Sequence, residues 1–297
     1  MSASSSDTSV SLVSSSSRCW LAIITEVDAC ETEKRMEVSY AAIAKAVSEQ
    51  PDAISIVSIR LKPSDSAEVL NRAVELTKRL VQLSEKYGDR GRSSSIEDQE
   101  LPPCPTFKVV CSSDWVEAAV LGGAHGVHVK EHHLPQIPSI REQFSVTNNS
   151  TNPIWIGTSA HSVESALISY GEYEPDYYFV GTCFLTASHP EKTSEADLEG
   201  PSLPGKVRRA LHAAAVEQQR SSNKTPPKVM AIGGIDESNC HIPVELGADG
   251  VAVIRSVLQA KDPAKAVADM QYNMKSAVTG RATKEGAESI AESSPSS

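Results

Sequence analysis

The chain has 297 residues, 40% of them hydrophobic and 22% charged, enough to bury a sizeable core in one barrel-sized domain or two ordinary ones. A formal net charge of −10 at pH 7 argues against a surface that coats nucleic acid or an anionic membrane. No apolar run approaches the ~20 residues of a membrane span, and the six cysteines show no C-x-x-C spacing, so a reduced intracellular setting is expected, the cytoplasm first with a plastid left open.

Residues 1–18 are Ser-rich and predict a disordered tail; a transit peptide would carry several arginines, and Arg18 stands alone. Residues 20–25 form a continuous apolar run, as in a strand covered on both faces. A helix follows in which Tyr40, Ile43 and Val47 share a face. Residues 53–62 are the second strand, rich in β-branched side chains and ending in Arg60 and Lys62. Residues 63–66 supply helix-start chemistry, and Val69, Ala73, Leu76, Leu80 and Leu83 then repeat at helical spacing. Residues 88–105 interrupt the pattern with Gly, Ser, Pro and charge and read as a surface insertion.

Strands three to six are predicted over 107–111, 126–129, 153–157 and 177–181. Their helices fall over 115–121, 138–144, 163–168 and 207–215, with a long loop over 185–200. The seventh strand, 229–232, ends in Gly233 and Gly234; a Gly-Ala-Asp-Gly turn then opens the eighth, 251–254. Pro243 makes the helix between them short or kinked. Asp262 and Pro263 form an N-cap with proline at the first helical position, and Val267, Met270 and Met274 turn the last helix inward. From 278 to 297 the composition is polar and Ser-rich, a second predicted tail. Eight strands alternating with eight helical segments predict α/β architecture, a single (β/α)8 TIM barrel over 19–277.

In such a barrel, functional groups collect at strand C-termini and in the loops behind them. Here these are Arg60 and Lys62 after strand two, Ser113 and Asp114 after strand three, and Lys130, Glu131, His132 and His133 after strand four. Ser159, His161 and Ser162 follow strand five, Thr186, Ser188, His189 and Lys192 follow strand six, and Gly233, Gly234, Ile254, Arg255 and Ser256 close the ring. Paired glycines let backbone N–H groups approach a ligand closely, and N–H donors beside a helix start favour an anion. Cations and donors dominate this rim although the chain is acidic, which predicts a small phosphorylated ligand. His125, His128, His132 and His133 crowd together, yet their spacing is loose for zinc, and His128 reads as a hydrogen-bonded interior residue. His161 lies just past a strand, where an imidazole can exchange a proton with substrate or simply cap the loop.

These segments, taken in order, resemble the thiamine-phosphate synthase and thiazole tautomerase family: SIRLK, the Ser-Ser-Asp turn, GGAHGVHV, IGTSAHS, GTCFLTASHP, AIGGI and GADGVAVI, between Trp20 and Met274. For the synthase branch the resemblance implies magnesium held by Asp114 and Glu131, joining a pyrimidine pyrophosphate to a thiazole phosphate. This chain has Ser58 where the family pattern has Gln, His133 where it has the second magnesium-binding aspartate, and His189 where a pyrophosphate-facing lysine belongs. For the tautomerase branch it implies a metal-free proton transfer by His161 in the turn formed by Ser159, Ala160, His161 and Ser162, with Ser188 or His189 covering the ring. The expectation is therefore a thiazole tautomerase-like isomerase needing no cofactor. The alternatives are a magnesium-dependent synthase and a barrel that binds a phosphorylated metabolite without turnover, with self-association left open.

Overall fold

The computed structural model describes residues 19–88, 106–148, 154–218 and 225–292. The predicted tail at 1–18 and nearly all of the predicted insertion lie outside these described residues. Eight strands run in chain order around a closed barrel: β1 (Trp20–Ile24), β2 (Ile56–Ile59), β3 (Lys108–Ser112), β4 (Gly126–Val129), β5 (Trp155–Ala160), β6 (Tyr177–Val180), β7 (Lys228–Ile232) and β8 (Gly250–Val253). Every neighbouring pair is parallel, and β8 returns to β1. The surrounding helices are α1 (Glu33–Glu49), α2 (Ala67–Gly88), α3 (Val116–Gly122), α4 (Ile137–Asn148), α5 (Val163–Tyr173), α6 (Leu203–Gln218), α7 (His241–Glu245), α8 (Arg255–Leu258) and α9 (Pro263–Glu292).

Alternation along the strands produces two cores. Ala22, Ile24, Ile56, Val110, Tyr177, Phe179, Met230 and Ala252 pack together inside the barrel. Leu21, Ile23, Val57, Ile59, Val109, Cys111, Val127 and Val129 meet the helices. Covered on both faces, the strands carry the continuous apolar runs of a parallel sheet. Val267, Met270 and Met274 are fully buried, as their spacing predicts.

Three boundaries differ from the sequence expectation. β2 ends at Ile59, so Arg60 and Lys62 stand in the loop behind it. β5 reaches Ala160, so Ser159 belongs to the strand rather than to the turn. α9 continues to Glu292, past the predicted start of the tail at 278; the alanine, lysine and glutamate there are good helix formers, which a reading of polarity alone overlooks. The four-residue α8 after β8 has too short a pattern to register in sequence.

Aromatic rings fill the lower and middle barrel. Trp20 and Trp155 stack with centroids 5.9 Å apart, and Tyr177 lies 5.1 Å from Phe179. Tyr177 fits because Gly157 faces it: a Cβ there would sit 1.9 Å from the ring. Gly157→Val is therefore predicted to cost about 1–3 kcal/mol in urea unfolding through overpacking. Gly171→Ala, at a helical position with nothing within 4 Å of the added carbon, should change stability by no more than ~1 kcal/mol and in the stabilising direction.

Candidate functional site

A cavity of about 1070 Å³ opens at the C-terminal end of the barrel. Its β7 wall is formed by Gly233 and Gly234, with φ of 101° and 64°. Positive φ alone favours glycine; crowding demands it as well. A Cβ on Gly233 would lie 2.5 Å from the Thr182 side chain, and one on Gly234 would lie 2.5 Å from the Leu185 carbonyl. The loop after β6 is pressed onto these glycines: the Cys183 N–H donates to the Ile232 carbonyl at 2.9 Å and the Phe184 N–H to the Gly233 carbonyl at 3.0 Å. Asn239 Nδ2 donates to the Gly234 carbonyl at 2.9 Å. Both glycines line the cavity.

The β8 wall joins it. Arg255 and Ser256 form the first turn of α8, behind Ile254 at its N-cap. Ser256 Oγ donates to the Ile235 carbonyl at 3.0 Å, and Arg255 Nη2 donates to Thr186 Oγ1 at 3.1 Å. Thr186 Oγ1 also accepts the Ser188 N–H at 3.3 Å. Arg60 lines the same cavity, its backbone fixed by two hydrogen bonds to the Thr25 hydroxyl. Burial lowers the Arg60 pKa, and the neighbouring Arg255 charge lowers it further. Among the described residues no carboxylate pairs with either guanidinium. Two like charges in a partly desolvated mouth are relieved by an anion between them.

His161 lines the wall between β5 and β6 and is half exposed. Its Nδ1–H donates to the Gly181 carbonyl at 2.7 Å, so the neutral ring keeps its lone pair on Nε2. Glu199 Oε1 lies 3.7 Å from Nδ1. That carboxylate accepts the Thr182 N–H at 2.6 Å and both of its oxygens are bonded by Lys192 Nζ. Lys192 is thus committed to the loop. Glu199 was not legible as a site residue; it carries no motif, and only the fold brings it beneath the imidazole. His189 also lines the cavity and bonds Glu191 at 2.8 Å.

Deeper in the barrel, Ser159 Oγ lies 3.0 Å from His128 Nε2, and the Tyr177 hydroxyl lies 3.2 Å from His128 Nδ1. His128 is the interior residue its position in β4 predicts. Burial, with the Arg60 charge second, pushes its pKa down to about 3. Burial, with Lys108 second, takes His125 to about 4, and His125 Nδ1 accepts the Val109 N–H at 2.8 Å. The four clustered histidines therefore do not converge; among the described residues no group of three His, Cys, Asp or Glu side chains could hold a metal ion.

Other predicted site residues fall elsewhere. Lys62 does not line the cavity; its ammonium pairs with Glu31 at 3.7 Å. Its place three residues past the end of β2 suggests the rim, but the loop returns it to the surface. Ser113 and Asp114 stand behind the wall, whereas Lys130 and Glu131 line it. Asp114 Oδ2 meets Lys130 Nζ at 2.5 Å, and His133 Nδ1 is held 2.9 Å from Ser113 Oγ. Magnesium asks for several oxygen ligands in near-octahedral array. Here the one enclosed carboxylate already faces an ammonium and the next candidate is an engaged imidazole. As arranged, Asp114 and Glu131 do not form a magnesium site.

A family model described as thiamine monophosphate synthase matches residues 53–257. The chain belongs to the thiamine monophosphate synthase family. It is 30% identical to the thiamine-phosphate synthase of Geobacillus thermodenitrificans over 207 residues, 68% of this chain and 81% of the relative. It is 34% identical to that of Geobacillus kaustophilus, over 56% of this chain and 64% of the relative, and 30% identical to that of Histophilus somni, over 56% and 66%. With these last two relatives the match thus falls just short of two thirds of their length. Among solved structures, thiamine phosphate pyrophosphorylase from Pyrococcus furiosus superposes with a TM-score of 0.58 at 21% identity, covering 88% of this chain and 98% of that one, and so shares the barrel. These family relatives carry the synthase name, which was the alternative of the sequence reading; the tautomerase expectation gains nothing from them.

Two outcomes follow from this geometry. Arg255→Met should weaken binding of inorganic phosphate about 10- to 100-fold in calorimetry, the worth of a hydrogen bond to a charged group. The second concerns acid. The folded chain keeps His125 and His128 neutral while the unfolded chain protonates them below about 6.5, so stability is lost as pH falls from 6.5 towards 4. His128→Gln should make that decline in urea-unfolding free energy shallower, by up to about 1.4 kcal/mol per pH unit.

Proposed function

We propose that the chain is an enzyme of thiamine biosynthesis that holds a thiazole phosphate with its phosphoryl group against Gly233, Gly234, Arg255 and Ser256 and its ring towards His161. The observation that carries this reading is the meeting of all five residues, with Arg60, on one cavity. The names of the family relatives favour one reaction for that ligand, its joining to a pyrimidine pyrophosphate with release of pyrophosphate, and we place it first. The cavity volume has room for both partners, and Arg60, Lys130 and Arg255 all line it, cations that suit more than one anionic group.

A second reading, thiazole tautomerisation, is favoured by His161. With Nδ1–H committed to Gly181, Nε2 is the free base, and Glu199 lies close enough to support the imidazolium that proton uptake creates. Neither reading routes a step through a metal. An intracellular location belongs to the same proposal, supported by five buried, unpaired cysteines among the described residues; no described helix is long and apolar enough to cross a membrane.

The deciding experiment incubates the chain with thiazole phosphate, with and without the pyrimidine pyrophosphate, following pyrophosphate release and isomerisation of the ring by NMR. Pyrophosphate release supports the first reading, isomerisation alone the second, and tight binding with neither would make the chain a binding barrel. In the active reaction, His161→Gln should lower kcat about 10²- to 10⁴-fold with the Kd for the phosphate ester nearly unchanged. Equal loss of both would assign the histidine a structural role.

A further inference from the structure

The network behind β4 has a consequence for how this cavity handles anions. Lys130 directly follows the last residue of β4 and lines the same cavity as Arg60. Its backbone N–H donates to Ser113 Oγ at 3.2 Å, and that hydroxyl reaches His133 Nδ1 at 2.9 Å. Its ammonium meets Asp114 Oδ2 at 2.5 Å, the lysine side chain 37% exposed and the aspartate 10%. The other Asp114 oxygen lies 4.0 Å from His133 Nδ1. The aspartate is therefore enclosed, and its Oδ2, which accepts no hydrogen bond among the described residues, faces the Lys130 ammonium as an ion pair. Lys130, its side chain partly exposed, lines the cavity, as Arg60 does, and the next residue, Glu131, is exposed.

A divalent cation at Asp114 would have to displace this ammonium or sit against it. Displacement would strip a partly buried ion pair, and adjacency would set like charges together. An ammonium is a compact cation with three donors and binds phosphate oxygens as a point charge. We propose that Lys130 Nζ, positioned by Asp114, is the cation that takes a phosphate or pyrophosphate group on the β4 side of the cavity, where the family's synthases would place magnesium. Anion binding on this side is then independent of divalent metal. This rests on the reading above that the cavity takes phosphorylated ligands, but it concerns the site of one charge and not the reaction.

The test titrates inorganic pyrophosphate into the chain by calorimetry, in chelator and again with magnesium chloride, correcting for the magnesium–pyrophosphate complex in solution. Binding in chelator within about threefold of that in magnesium is expected, with the thermal midpoint of the ligand-free chain unmoved by magnesium. Lys130→Met should weaken pyrophosphate binding about 10- to 100-fold, the worth of a charge-assisted hydrogen bond, and Lys130→Arg should keep most of it. Because Lys130→Met leaves Asp114 unpaired, the Asp114→Asn/Lys130→Met double variant is measured beside it. Folded by circular dichroism, it should bind as weakly as the single variant. Binding that appears only with magnesium, a magnesium-dependent rise in thermal midpoint, or native affinity in the folded double variant would each overturn the inference. Metal-free, Lys130-dependent binding without turnover of thiazole phosphate would leave it standing and sink the functional reading instead.

Discussion

The site depends on one close approach: the loop after β6 lies so near the end of β7 that neither Gly233 nor Gly234 has room for a side chain. The Cys183 and Phe184 N–H groups hold that loop down by donating to carbonyls of the β7 end, and the two positive φ values turn the chain sharply enough to receive it. The same contact brings Thr182, the Gly181 carbonyl and Glu199 alongside His161. The anion wall and the proton-transfer residue are thus set by a single piece of packing rather than by two independent designs.

Electrostatics then sort the rim residues. The chain is acidic overall, yet net charge describes solubility and long-range steering, while a cavity responds to the charges left unpaired in its walls. Lys192 is bound to Glu199, and Lys62 pairs with Glu31. Arg60 and Arg255 carry no carboxylate partner among the described residues, and the Arg255 charge disfavours that of buried Arg60. That repulsion is what a bound phosphoryl group would relieve.

Much of the architecture was legible because its signals are local. Apolar runs of four to six residues alternating with helical spacing yield the strand count, and double glycine at a strand end marks where backbone must be bare. His128 was placed in the barrel interior because it sits in the middle of such a run. What was not legible depends on contacts across strands. Ser159 was read as turn because polar residues end an apolar run, but β5 continues through it and delivers its hydroxyl to His128. For a synthase the family resemblance implied magnesium on Asp114 and Glu131, and only the fold reveals that the aspartate faces Lys130. The tautomerase expectation leaned on a four-residue turn around His161. The family match over residues 53–257 and its synthase-named relatives carry more weight than so short a motif.

The central claim is that phosphate is gripped where β7 and β8 end and that the rest of the ligand is thereby aimed at His161. A crystal structure of the chain with thiazole phosphate tests it most directly. The account predicts phosphate oxygens within hydrogen-bonding distance of the Gly233–Gly234 backbone and the Arg255–Ser256 turn, with the thiazole ring against the His161 imidazole. A phosphoryl group seated elsewhere in the cavity, with the glycine wall bare and the ring away from His161, would contradict it.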